Sequence, residues 1–307
     1  MFESIWDDIK HMYRTGGSVT QLILINLAVF VVIHLLALLM LPIYGQGNAG
    51  MEAILRWTAV PNEPLELLTR PWTILTYMFL HEGFWHILWN MLMLYWFGRI
   101  VQDLLGDRRI VPVYILGGLA GFLIYFIMAN IFPGYMGPRM LGASAGVMAV
   151  VWAAATTAPD YRMHLILIGP VKIVWIAAVL LLVDLIMIRT GSNTGGHLAH
   201  IGGAAVGYFF ASQLKSGIDW GIPIQNSITW VKNLFSPSDR PTAARSRTTR
   251  ASRPQPHIIH KRKRPTRAPR EDDHQEKLDR ILDKIKESGY DNLTASEKEF
   301  LYNASKK

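Results

Sequence analysis

The chain has 307 residues, half of them apolar, with 18% charged residues, no cysteine and a formal net charge of +8. An ordinary soluble domain carries about 25% charged residues, and the lack of cysteine excludes disulfides, a cysteine nucleophile and thiolate-held zinc or iron–sulfur sites. Split after Leu214, the sequence has 11 Lys/Arg against 11 Asp/Glu in front and 20 against 12 behind, so the whole positive excess lies in the tail.

Residues 1–19 form a polar N-terminal segment. Six apolar stretches then approach the roughly 17–25 residues that a helix needs to cross a bilayer core: Gln21–Leu41, Phe84–Leu104, Val111–Phe132, Leu141–Thr157, Met163–Ile188 and His197–Leu214. Glu3, Asp7 and Asp8 precede the first, and no small-residue cleavage pattern follows, so it reads as a retained helix and not a removed signal peptide. The loop from Pro42 to Gly83 is too long for a plain connector. Its Trp57 and Trp72 and the amphipathic stretch around Leu65–Leu80 predict a partly embedded loop. The fourth and sixth stretches are short and rich in Gly and Ala, as suits central helices shielded from lipid, and Gly203 with Gly207 gives a spacing for tight helix crossing.

Basic residues orient the bundle. With the N-terminus inside, Lys10, Arg14, Arg99, Arg108, Arg109 and Arg162 lie inside, against Arg56, Arg70, Arg139 and Arg189 outside. An even span count then keeps the basic tail inside as well. The reading is an all-α polytopic membrane protein with both termini cytoplasmic, in a prokaryotic plasma membrane.

Polar groups within spans are costly and mark function by default. Asn26 and Asp184 have a plain alternative as interhelical hydrogen-bonding residues, and Asn130 as a headgroup-facing one. His34 has no candidate partner on its own helix. The informative set shares one depth, about a turn below the outer surface: His86 and Asn90 at i and i+4 on span two, Ser144 on span four and His200 on span six. A serine hydroxyl needs a base to become a nucleophile, and an imidazole that titrates near neutrality can take the proton and return it to a leaving amine. The flanking Gly142-Ala143-Ser144-Ala145-Gly146 lets a substrate backbone approach. Asn90, a His86 N–H and the Ser144 backbone N–H are then candidate oxyanion donors, each worth about 2.7–4 kcal/mol by analogy with other hydrolases. With no acidic neighbour evident beside His200, the machinery reads as a Ser144–His200 dyad. His197 reads as a loop-edge histidine in preference to half of a metal pair with His200, and no metal or cofactor is called for.

In this combination the sequence resembles the rhomboid family of intramembrane serine proteases. The resemblance rests on Arg70-Pro71-Trp72 late in a Trp-bearing first loop, His86-Ile87-Leu88-Trp89-Asn90, Gly142-Ala143-Ser144, and Ala199-His200-Ile201-Gly202-Gly203 followed by Gly207, and it covers about residues 15–214. It implies Ser144 as nucleophile, His200 as general base and His86 and Asn90 as oxyanion stabilisers. It also implies a six-helix bundle (residues 20–214) open toward the extracytoplasmic side, with the first loop and fifth helix where substrate enters, and single-span membrane proteins as substrates. Two positions depart from the family pattern: Ala145 stands where glycine usually follows the serine, and Met148 where an aromatic ring often packs on the histidine. The rival reading is a catalytically silent rhomboid-like protein that binds membrane helices or regulates. A zinc protease is disfavoured because His81 and His86 are five apart, and an aspartyl protease because Asp184 alone lies deep in a span.

Residues 215–270 read as a disordered basic linker, with 11 Lys/Arg and no acid between Arg240 and Arg270. Beside a membrane this charge suits anionic lipid and not nucleic acid. In 271–307, Leu278, Ile281, Leu282 and Ile285 mark one helical face, Gly289 stops it, and Thr294 with Glu297 reads as a capping box opening a second helix. A hairpin this small is expected to dock on a second copy, on the inner face of the bundle or on a cytoplasmic partner.

Overall fold

The computed structural model describes residues 2–235, apart from 46, 167 and 192, and 279–304, apart from 282 and 286–291. The chain divides into two units, 1–240 and 241–307. In the first, α1 (Phe2–Thr15) leads into α2 (Gly17–Leu39). Four short helices fill the first loop: α3 (Leu41–Tyr44), α4 (Ala49–Thr58), α5 (Pro64–Thr69) and α6 (Thr73–Thr76). Then come α7 (Phe84–Leu105), α8 (Ile110–Ile131), α9 (Ser144–Thr157), α10 (Ile173–Met187), α11 (Thr194–Lys215) and α12 (Ile222–Phe235).

Among the described residues, three stretches are both long and apolar enough to cross a membrane: Gly17–Leu39, Asp107–Ile131 and Ile173–Thr190. α7 and α11 have 22 residues each, but their polar and glycine positions dilute the apolar signal. α9 has only 14 residues, about 21 Å of helix. It sits in the middle of the bundle, with ten of those residues buried.

Small residues make that placement possible. A Cβ on Gly203 would lie 2.0 Å from the Ala145 carbonyl oxygen, and one on Gly207 2.1 Å from that of Ala149. On the other side of α9, a Cβ on Gly117 would lie 2.3 Å from the Ala149 methyl, and one on Gly121 2.5 Å from that of Ala145. Backbone therefore packs on backbone, and α9 is clasped between α8 and α11 at fixed height. Gly207→Val is expected to lower stability by about 1–3 kcal/mol, since the blocking atom is a carbonyl that cannot swing away. Gly83→Ala, which meets nothing within 4 Å, is the control expected to leave the thermal midpoint in detergent unchanged.

Hydrogen bonds order the two ends of the bundle. At one end Asp107, between α7 and α8, accepts from the Ser18 backbone N–H and hydroxyl, both at 2.7 Å, and Arg109 pairs with Asp219 at 3.0 Å. Lys215 donates to the Thr156 carbonyl at 2.6 Å, bringing the α9–α10 connection to the same end. At the other end, β1 (Val60–Pro61) pairs antiparallel with β2 (Arg139–Met140), and Asn130 donates to the Asn62 carbonyl at 3.1 Å. The first loop is thus tied to the α8–α9 connection, while Trp57, Leu65, Leu68 and Trp72 on it remain exposed.

The structure departs from the sequence reading at four places. The start of the predicted fifth span, from Met163, instead falls in an antiparallel strand pair of β3 (Arg162–Leu165) and β4 (Gly169–Lys172). Gly169, at φ +87°, and Pro170 break any helix there. The two strand pairs qualify the all-α reading. The predicted linker begins too early, because Ile222–Phe235 is helical, with Ile222, Ile224, Ile228, Val231 and Leu234 recurring at helical spacing. His34 does have partners: Nδ1 approaches the Phe30 carbonyl at 2.8 Å and Nε2 that of Glu82 at 3.2 Å. Asn26 agrees with its plain interhelical reading: fully buried, it donates to the Leu22 carbonyl at 2.8 Å and approaches the Tyr114 hydroxyl on α8 at 3.4 Å.

In the second unit, α13 (Ala295–Ala304) opens on the predicted capping box. The Thr294 backbone N–H and hydroxyl both donate to Glu297 Oε2, at 2.8 and 2.9 Å. Lys284 adds an ion pair at 3.0 Å. These bonds, the Thr294 N–H first, hold the Glu297 carboxyl down to about 2. Ile281 and Leu293 are buried. The basic run Arg240–Arg270, Leu278, Leu282 and Gly289 lie outside the described residues.

Candidate active site

Ser144 is the first residue of α9, so its backbone N–H is among those a helix start leaves unpaired. The approach to it is set by Gly142, at φ +126°, whose N–H donates to the Tyr77 carbonyl at 2.9 Å. A Cβ there would lie 2.9 Å from both Cε1 and Nε2 of His86 and 3.6 Å from Ser144 Oγ. Glycine thus lets the His86 ring come against the segment that delivers the serine. Asn90, one turn along α7, donates Nδ2 to the His86 carbonyl at 2.8 Å and keeps a second amide hydrogen for the space beside it.

Ser144, His200, His86 and Asn90 all line one cavity of about 610 Å³. Its wall is mostly apolar, including Trp85, Trp89, Met93, Met148 and Leu180. The sequence reading placed these four polar groups at one depth on three helices, and the fold brings them to one space. No hydrogen bond joins Ser144 to His200 among the described residues, a looseness common in sites without substrate.

The acid beside His200 is the residue that the sequence reading missed. Asp184, on the last turn of α10 and buried, accepts from His200 Nδ1 at 2.7 Å and from His197 Nδ1 at 2.8 Å, both on Oδ1. An Nδ1–H bonded to a carboxylate leaves Nε2 as the lone-pair nitrogen, the form that a general base needs. His197 is more than a loop-edge residue: in the first turn of α11, it is partly buried and held by Asp184. The missed signal was countable. Asp184 stands four residues before the α10–α11 connection begins at Ile188, and the histidines stand within two turns after it ends, so all three share a depth.

Ala145 replaces the expected glycine without crowding, because Gly121 opposite its methyl group leaves the room. Met148 lines the cavity with Ser144 and His200, where a thioether can pack on a ring. Behind His86 lies His81, fully buried, its ring 4.9 Å away and edge-on. Burial, with the neighbouring His86 ring, pushes the pKa of His81 down to about 3, so it stays neutral.

Residues 68–216 match the family model of the Rhomboid domain, and residues 269–307 match a family of unknown function. The chain is 29% identical over 157 residues to "RHOMBOID-like protein 12, mitochondrial" of Arabidopsis thaliana, covering 47% of each chain. It is 27% identical over 155 residues to the human "Presenilin-associated rhomboid-like protein, mitochondrial", covering 49% of this chain and 39% of the relative. It is 30% identical over 150 residues to "Rhomboid-related protein 1" of Caenorhabditis elegans, covering 45% and 38%. The chain thus spans less than half the length of these relatives. With its long apolar helices and the matched domain, it is an integral membrane protein whose residues 68–216 are similar to the Rhomboid domain.

Proposed function

We propose that this chain is an intramembrane serine endopeptidase of rhomboid type, cutting single-span membrane proteins in or near their transmembrane segments. The observation that carries the reading is the convergence of Ser144, His200, His86 and Asn90 on one mostly apolar cavity, with Asp184 behind His200. Ser144 Oγ attacks the scissile carbonyl carbon while His200 Nε2 takes its proton. The new oxyanion accepts from the Ser144 backbone N–H, a His86 N–H and the Asn90 amide. Collapse of this intermediate breaks the C–N bond, the proton passes from His200 to the leaving amine, and a water then hydrolyses the acyl ester by the same route. Asp184 holds the His200 tautomer and offsets the charge of the transient imidazolium, which turns the dyad into a line of three.

The membrane placement belongs to the same reading. α2, α7, α8, α9, α10 and α11 are the six spans, with both termini cytoplasmic in a prokaryotic plasma membrane. Two of the named relatives carry "mitochondrial" in their names, and the sidedness proposed for this chain rests on its charge distribution. The basic tail meets anionic lipid, and 271–307 forms a cytoplasmic hairpin that binds a partner or a second copy.

A fluorophosphonate probe tests the nucleophile without knowledge of a substrate. Wild-type protein in detergent is expected to label, and Ser144→Ala not to. Equal labelling of both would place the reactive serine elsewhere.

A further inference from the structure

Two histidines share a single carboxylate oxygen at the outer end of the α10–α11 pair, and the reaction proposed above uses only one of them. Asp184, His197 and His200 each offer one ligand atom, and these atoms lie within 4.8 Å of one another. Two imidazoles and a carboxylate are the donor types of an open, three-ligand zinc site, which leaves a fourth position for water. His197 and His200 are i and i+3 on one helix face, a spacing from which both rings reach one ion. Asp184 and His200 line the cavity, and the side chains of His197 and His200 are 17% and 18% exposed, so an ion has a path to them.

We propose that Asp184, His197 and His200 form an inhibitory binding site for a divalent transition-metal ion of the zinc type. Binding and catalysis exclude each other here for a simple reason. In the bonded arrangement each ring carries its proton on Nδ1, and His200 Nε2 is free to accept. A metal on Nδ1 requires that lone pair, so the His200 proton moves through solvent to Nε2, the nitrogen meant for Ser144. With both rings neutral, no proton is gained or lost overall. His200 becomes a donor where the reaction needs an acceptor, and the carboxylate that held the ring is drawn onto the metal. A zinc-type ion suits this donor set better than magnesium or calcium, which favour oxygen ligands. The inhibitory part rests on the protease reading above. The binding part does not.

The test has two arms on full-length protein in detergent. In the first, Co²⁺ is titrated into Ser144→Ala protein, and its visible absorption, intense only for a tetrahedral site, is compared with the double variants that add His197→Ala or His197→Gln. The intense band is expected, and is expected to be lost or weakened by about 10–100-fold in apparent affinity in both. In the second, cleavage of a single-span substrate is followed against buffered free Zn²⁺, each protein normalised to its own chelator-treated rate. Half-inhibition is expected to move to about 10–100-fold higher zinc in His197→Gln and His197→Ala. His197→Gln keeps a donor for Asp184, so it controls for a lost hydrogen bond. A Co²⁺ spectrum without the tetrahedral band, or one unchanged by either His197 substitution, would overturn the site. Unshifted zinc inhibition would overturn its inhibitory role. A His197-dependent Co²⁺ band in a chain that cuts nothing would leave the metal site standing and remove the protease reading alone.

Discussion

Ser144→Ala is expected to lower cleavage of a single-span substrate by at least about a thousandfold, to the background of the assay, with folding unchanged. The size follows from what the hydroxyl alone supplies. Without Oγ no acyl-enzyme forms, and the remaining oxyanion donors act on a carbonyl with no positioned attacker. The substitution removes one oxygen atom at a helix start and leaves the clasp of α9 by Gly117, Gly121, Gly203 and Gly207 untouched. A thermal midpoint in detergent within a degree or two of wild type, beside lost cleavage, is the expected pair of readings. Cleavage retained at more than a few per cent would move the nucleophile elsewhere.

The second large effect belongs to Asp184→Asn. The asparagine keeps the shape but brings an NH2 group where His200 and His197 now donate, and it removes the charge that offsets a forming imidazolium. By analogy with the same change in a soluble serine protease, kcat is expected to fall by about a hundred- to ten-thousandfold. KM should stay near its wild-type value, because Asp184 acts on substrate through His200. A merely structural role would lower the thermal midpoint and raise KM along with the loss of kcat. An Asp184→Asn protein that retained half of its kcat in chelator-treated buffer would leave Ser144 and His200 working as a pair.

Much of this site was legible in the sequence, and the reasons are physical. His86 with Asn90 follows from helix periodicity, and the common depth of Ser144 and His200 follows from counting turns from the ends of apolar stretches. The packing role of Gly203 and Gly207 was legible too, since a Cβ at either position would lie only 2.0 or 2.1 Å from a neighbouring backbone oxygen. Asp184 escaped because partners were sought along the chain near His200, whereas helix pairing sets its neighbour 16 residues away. The hairpin at 162–172 escaped because Met163, Leu165, Ile166, Leu167 and Ile168 read as span in a hydropathy count, and one glycine–proline step decided otherwise. His197 was misread for the same reason as Asp184: its meaning lies in the residue opposite, which periodicity on a single helix does not reveal.

The most direct test of the central claim is the mass spectrum of a purified single-span substrate incubated with wild-type protein, Ser144→Ala or His200→Ala in detergent. The account predicts two wild-type fragments whose masses sum to that of the substrate plus one water, from a single cut in or near its transmembrane segment, and intact substrate with both variants. Intact substrate with well-folded wild-type protein, across several substrates and without fluorophosphonate labelling, would contradict it and favour a rhomboid-family protein that holds membrane helices without cutting them.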